Sequence, residues 1–358
     1  MWIADMDFGV GEAITEALCD AVGGFGLGYS RQSLYDGVIE ALVKRYQTKF
    51  DTNLDPNLSL LSTDVVQAIY LALSTLSELG EKIVVQSPIY PPFIDAIRDL
   101  KREVLYNNLR ETEVGFFPDM ENLEVLCADQ ATRVLLLCNP HNPTGRVFTE
   151  LELNEIAAIA ARHHVVVVVD EIHAEIAYAP HRHLPFSKVA AKFGTEYILL
   201  TSASKAFNLA GLRCAVANFS SKRLLARYNS LPFHMRGAVS NLGMVGTIAA
   251  WNSGDSWLKG VMAQLGSNRT YISEFIAERC AGIGYHQPEG TYLAWLDFGK
   301  VTALDDPAER IGEVARVALS HGVTFGPGGT GRARLNFATS SANLQAGLER
   351  IAASLPLL

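Results

Sequence analysis

The chain has 358 residues, 49% hydrophobic and 19% charged, with a formal net charge of −8 and a pI near 5.6. That composition excludes a disordered chain, and its acidic balance argues against nucleic acid or an anionic membrane as partner. No apolar run approaches the ~20 residues that span a bilayer, and the scattered Cys19, Cys127, Cys138, Cys214 and Cys280 point to a reducing cytoplasm, not to a disulfide framework or zinc site.

The chain opens on Met1-Trp2-Ile3-Ala4-Asp5, with neither the basic start nor the apolar core of an export signal. Apolar periodicity predicts helices over Leu34–Phe50, Val65–Leu79 and Pro92–Leu100, with a short strand at Ile83–Val85 between the last two. Further strands fall at Val134–Leu137, Val165–Val169, Ile198–Leu200 and Cys214–Phe219, and a helix covers Glu150–His163. Apolar strands alternating with helices predict an α/β fold on a mainly parallel sheet covered on both faces. Past Trp251 the pattern changes to helices over Asp255–Cys280 and Pro307–His321, with strands at Tyr292–Asp297 and near Arg334–Phe337. This predicts a large domain over residues 20–250 and a small C-terminal α+β domain over 251–358.

In such sheets ligands bind beyond the carboxyl ends of the strands, and three successive strands deliver polar groups there. Val134–Leu137 leads into the turn Asn139–Gly145, Val165–Val169 into Asp170-Glu-Ile-His173, and Ile198–Leu200 into Thr201-Ser-Ala-Ser-Lys205. Lys205 in that place is a candidate amine nucleophile, activated by desolvation; the ordinary alternative is a solvated surface lysine. A Ser-x-x-Lys pattern also occurs in serine β-lactamases, but the partner motifs Ser-Asp-Asn and Lys-Thr-Gly are absent from the chain. Asp170, at the end of five valines, needs a cationic partner if buried; the alternative is a helix N-cap. Arg213 and Arg334 carry the fork geometry that suits phosphate and carboxylate. The glycine-rich Gly23–Gly28 follows a helical segment and not a strand, so it is no dinucleotide fingerprint. His163, His164, His173, His181 and His183 lack ligand spacing with a carboxylate or cysteine, so no metal is expected.

Asn142-Pro-Thr-Gly, Asp170-Glu-Ile-His173, Ser202-x-Ser-Lys205 and Arg334-Leu-Asn stand in the order and approximate spacing of the class I/II, fold-type I aminotransferases, which the chain resembles. Trp2-Ile-Ala-Asp-Met-Asp-Phe8, Gly28-Tyr-Ser30, Ser87-Pro-Ile-Tyr90, Ser204-Lys-Ala-Phe-Asn208 and Thr291-Tyr-Leu-Ala-Trp295 narrow the resemblance to the MalY/PatB branch of cystathionine β-lyases. The resemblance implies a seven-stranded sheet, pyridoxal 5'-phosphate as cofactor, a homodimer with a shared site, and an N-terminal segment, residues 1–19, packed near that site. Lys205 would then hold the cofactor covalently, Asp170 would pair with its ring nitrogen, Asn142 and His173 would bond its ring hydroxyl, and Tyr90 would stack on its face. Its phosphate would sit at the helix start around Val65 and Val66, with contacts from Ser202, Ser204 and Arg213 and from Tyr29 of the other subunit. Arg334 would clamp the substrate carboxylate, with Ala4 and Asn142 beside it.

The implied activity is carbon–sulfur β-elimination from cystathionine or a cysteine conjugate. The same site could transaminate an amino acid, and a third reading is a cofactor-binding regulatory protein with little turnover. Three features depart from the family pattern: the chain starts at the Trp2 motif, Asp64 is an acid beside the expected phosphate, and the stretch Gly326–Arg334 is short.

Overall fold

Seven strands form the central layer: β1 Ser59–Ser62, β2 Lys82–Ser87, β3 Glu103–Asn108, β4 Thr132–Cys138, β5 Val166–Asp170, β6 Tyr197–Thr201 and β7 Ala215–Phe219. Their spatial order is β1-β7-β6-β5-β4-β2-β3. Pairing is antiparallel only where β7 meets β1 and β6; every other pair is parallel. The seven-stranded, mainly parallel sheet implied by the resemblance is therefore present. This computed structural model describes residues 1–24 and 27–358; Phe25 and Gly26, inside the glycine-rich Gly23–Gly28, lie outside the described residues.

The strands read as apolar runs because both faces are covered. Successive side chains point to opposite faces, so Leu135, Leu137, Val167, Val169 and Leu199 enter one core while Val134, Leu136, Val168, Ile198 and Leu200 enter the other. The helices Gln32–Phe50 and Glu150–Arg162 supply the first core; Val65–Leu76, Pro91–Asp99 and Lys222–Asn229 supply the second.

A second sheet lies beyond the 25-residue helix Asp255–Arg279. It comprises β8 Gly284–Tyr285, β9 Leu293–Asp297, β10 Ser320–His321 and β11 Arg332–Asn336, all antiparallel in the order β8-β9-β11-β10. Two expected boundaries move. The helix expected to reach His321 stops at Ala315, where Arg316 adopts a left-handed φ of 55°, and Ser320–His321 pairs with β11. Edge pairing with β11 here overrides helical periodicity. The helix expected to reach Leu79 stops at Leu76, because Ser77 turns extended and its hydroxyl caps the Leu73 carbonyl at 2.7 Å.

Residues 1–8 have no regular structure yet are tied at both ends. Asn336 on β11 donates through Nδ2 to the Ile3 and Asp5 carbonyls, both at 2.6 Å, and through its backbone N–H to the Met1 carbonyl. Asn208, beyond β6, donates through Nδ2 to the Met6 and Phe8 carbonyls and accepts the Met6 N–H. The segment thus bridges the two sheet layers.

Candidate active site

The carboxyl ends of the parallel strands open into a cavity of ≈ 720 Å³. Five of the seven strands contribute through residues at or just past the carboxyl end; β3 and β7 do not. After β1 come Thr63, Asp64 and the helix start at Val65; after β2 comes Tyr90; after β4, Asn142; at the end of β5, Asp170 and His173; after β6, Ser202, Ser204 and Lys205. Ala4 and Arg213 also stand in the wall. Of the residues singled out by sequence, all but Tyr29 and Arg334 line this cavity. Gly145 explains why the turn after β4 ends in glycine: at φ 71° its backbone lies so close to residues 288–290 that a Cβ would meet Pro288 Cβ at 2.2 Å. Its carbonyl accepts the Glu289 and Gly290 N–H groups, which holds the Asn142 turn against the segment leading to β9.

Lys205 lines the cavity between these groups. Its Nζ donates to the Ala4 carbonyl at 2.6 Å, and that carbonyl also accepts the Tyr292 hydroxyl at 3.1 Å. Burial lowers the Lys205 pKa, favouring the neutral amine, while the Asp5 and Asp170 carboxylates oppose that shift. Asp170 is buried, and desolvation pushes its pKa up to about 7 against the opposing Ile172 N–H bond and Lys205 charge. A carboxylate in that condition gains from a cation brought to it. His173 is pushed down to about 3 by burial first, then by the Lys205 and Arg334 charges, so its ring is neutral. Its Nδ1 is buried without a hydrogen-bond partner among the described residues.

At the other end of the cavity, the first amides of the helix Val65–Leu76 have no intrahelical partner and carry the positive end of its dipole. Arg213 holds a left-handed φ of 55°, a conformation that costs a residue with a Cβ roughly 1–2 kcal/mol, and its Nη1 reaches Asp64 Oδ2 at 2.7 Å. Ser202 lines the wall, but its hydroxyl donates to the Cys214 carbonyl at 2.6 Å and accepts the Ser204 N–H at 3.1 Å. It therefore braces the loop before Lys205, and Ser204 has the freer hydroxyl.

Arg334 stands behind Asn142. Its Nη1 donates to Asn142 Oδ1 at 2.9 Å, its Nη2 to Ser320 Oγ at 3.0 Å and to the Trp2 carbonyl at 3.3 Å, and its Nε has no partner among the described residues. No carboxylate of the described residues forms an ion pair with it. Burial pushes its pKa down to about 10. A guanidinium only 4% exposed and without an acid partner is primed for an anionic ligand. Tyr29, by contrast, is fully exposed and away from the cavity.

Sequence reasoning assigned no role to Tyr292, Asn336, Asn208 or Ser320. All four act on main-chain carbonyls of residues 2–8. Tyr292, Asn336 and Asn208 lie within the motifs that carry the family resemblance, which was the available signal.

The residues present fit pyridoxal phosphate: an amine at Lys205, a buried carboxylate for a ring cation, an orphaned His173 nitrogen, and a helix start with Arg213 for a phosphate. The comparisons with known proteins agree. Residues 4–351 match the family described as aminotransferase class I and II. The chain is 33% identical to the cystathionine beta-lyase PatB of Bacillus subtilis strain 168, covering 99% of this chain and 92% of that protein. It is 32% identical to the protein MalY of Escherichia coli K12, over 97% and 88% of the two chains. The crystal structure of cystalysin from Treponema denticola, which contains a pyridoxal 5'-phosphate cofactor, superposes with a TM-score of 0.94 at 26% identity, covering 99% of this chain and 90% of that one.

Proposed function

This chain belongs to the class I and II aminotransferase family, in the branch of PatB and MalY, and from that premise we propose that it is a pyridoxal-phosphate-dependent carbon–sulfur β-lyase. Its substrate would be cystathionine or a related cysteine S-conjugate, released as a thiol, pyruvate and ammonia. The observation that carries this reading is the pairing, in one cavity, of the desolvated Lys205 amine with the buried Asp170 carboxylate, while Arg334 waits behind them without an acid partner.

When bound, the cofactor supplies an electron-accepting ring conjugated to the substrate α-carbon. Lys205 would hold the cofactor covalently between turnovers; once freed, its neutral amine would take the α-proton, the step that lets the Cβ–S bond break with its electron pair leaving on sulfur. Asp170 would keep the proton on the ring nitrogen. His173, neutral, and Asn142, whose Oδ1 is taken by Arg334, would turn N–H donors to the ring hydroxyl. Tyr90 would cover the ring face, and Val65, Val66, Ser204 and Arg213 would hold the phosphate. Arg334 would take the substrate carboxylate on its free Nε and an Nη, fixing the α-carbon beside Lys205.

We also infer a homodimer in the cytoplasm. Full exposure of Tyr29, with Leu27, Phe233 and Met235 also exposed, supports a partner subunit that Tyr29 reaches; five unpaired cysteines suit a reducing compartment.

The direct test is to add L-cystathionine to the holoenzyme and assay pyruvate and free thiol together. Equal yields without any keto-acid acceptor support the lyase; turnover that requires an acceptor makes it a transaminase instead, and a bound chromophore with neither product points to a binding protein. Arg334→Lys is expected to raise KM for cystathionine by about 30- to 100-fold, or roughly 2–3 kcal/mol of bidentate binding. Cofactor uptake should change far less than KM, since Arg334 would bear on the cofactor only through Asn142. An unaltered KM would remove Arg334 from the substrate site.

A further inference from the structure

Asp64 puts a negative charge at the phosphate end of the cavity. It is the N-cap of the helix Val65–Leu76: one carboxylate oxygen accepts the Gln67 N–H at 2.7 Å, and the other accepts Arg213 Nη1 at 2.7 Å. An anion entering at this helix start would seek the same groups, a first-turn amide and the Arg213 guanidinium. Asp64 and Arg213 both line the cavity and remain 32% and 66% exposed, so the pair can open without breaking the core. The Gln67 side chain cannot stand in for the lost cap, because its Oε1 already accepts the Thr63 N–H and hydroxyl.

We propose that Asp64 is a built-in competitor for the cofactor's phosphate: its carboxylate occupies the Arg213 and helix-start donors, and the phosphate binds by displacing it. The inference rests on the reading of this cavity as a pyridoxal-phosphate site and adds that phosphate affinity here is weakened by the chain itself. Displacement leaves a carboxylate beside a dianion, and it turns to solvent to escape the repulsion. The penalty falls on ligands that carry the phosphate and spares those that lack it. It also diminishes with salt, since both charges are partly in water.

The test uses purified protein stripped of cofactor and retitrated, with uptake at Lys205 followed by the visible absorbance band. Wild type, Asp64→Asn and Asp64→Ser are each titrated with pyridoxal phosphate and, separately, with pyridoxal. Asparagine and serine both retain the N-cap, so the helix start stays formed. Both variants are expected to bind pyridoxal phosphate about tenfold more tightly at low salt, with the gain shrinking as salt rises. Pyridoxal affinity should not change. Unchanged or weaker binding of pyridoxal phosphate by both variants would overturn the proposal and make Asp64 a brace for Arg213. An equal gain for pyridoxal would overturn it too, by moving the effect away from the phosphate. If the wild type and both variants take up neither compound, the cofactor reading itself falls, and the inference with it.

Discussion

Replacing Lys205 by alanine is expected to abolish turnover while leaving the fold in place. A positioned base is worth roughly 10²–10⁴ in rate, and Lys205 is also the covalent anchor, so the loss should be at least about 10³-fold. The variant should fold because the Ala4 carbonyl, which accepts the amine, keeps its second donor in the Tyr292 hydroxyl. The acceptor of the Lys205 amine keeps a donor, and the fold gives up an amine whose charged form burial disfavours. Borohydride treatment of the wild-type holoenzyme should fix the cofactor on the Lys205 peptide and leave the variant unlabelled. Small primary amines should restore part of the variant's rate, because they replace the base and not the fold. Wild-type turnover by Lys205→Ala would sink the mechanism.

Asp170→Asn should separate stability from activity. Asparagine cannot hold a cation at the ring nitrogen, and turnover should fall by about 10²–10³-fold, equivalent to roughly 3–4 kcal/mol of electrostatic stabilisation. The cofactor-free protein should move the other way. Burial raises the Asp170 pKa from 3.8 to about 7, so the folded state binds its proton more tightly than the unfolded chain does. Stability is then fullest below the unfolded value and is lost as pH rises through the folded one. The cofactor-free wild type should lose on the order of a few kcal/mol between about pH 4 and pH 7, and Asp170→Asn should lack that slope. Thermal melts of both cofactor-free proteins across this range check it; parallel pH profiles would show that Asp170 is not the desolvated carboxylate described here. A site residue that destabilises its own fold until its ligand arrives fits the general exchange of stability for function.

Much of this was legible because the sheet is buried on both sides. Val165–Val169 and Val134–Leu137 read as strands from apolar content alone, and the residues just past a strand's carboxyl end in such a sheet stand at the ligand edge. Asp170 and Lys205 therefore emerged without any contact being known, as did the turn Asn139–Gly145, within which the family resemblance singled out Asn142. The edges were less legible. Strand β1, Ser59–Ser62, is short and half serine, and β10 is two residues that hold their form only by pairing with β11. The helix Asn241–Ser253 has apolar residues on all sides and so gives no periodic signal. Within the site, the sequence exposed Asp64 as an anomaly and left its partner hidden, since Arg213 lies 149 residues away. The ties on residues 1–8 escaped for a different reason: the acceptors are main-chain carbonyls, which every residue type carries alike.

Those carbonyls have a consequence for which substitutions the nucleophile's setting tolerates. Position 4 can change its side chain without altering the acceptor that the lysine amine rests on, because that acceptor is backbone. What matters is where the chain runs, and two asparagines on different layers set its course, Asn208 beyond β6 and Asn336 on β11. The opening stretch of the chain thus holds the nucleophile's acceptor in place from both layers at once, whatever side chain position 4 carries.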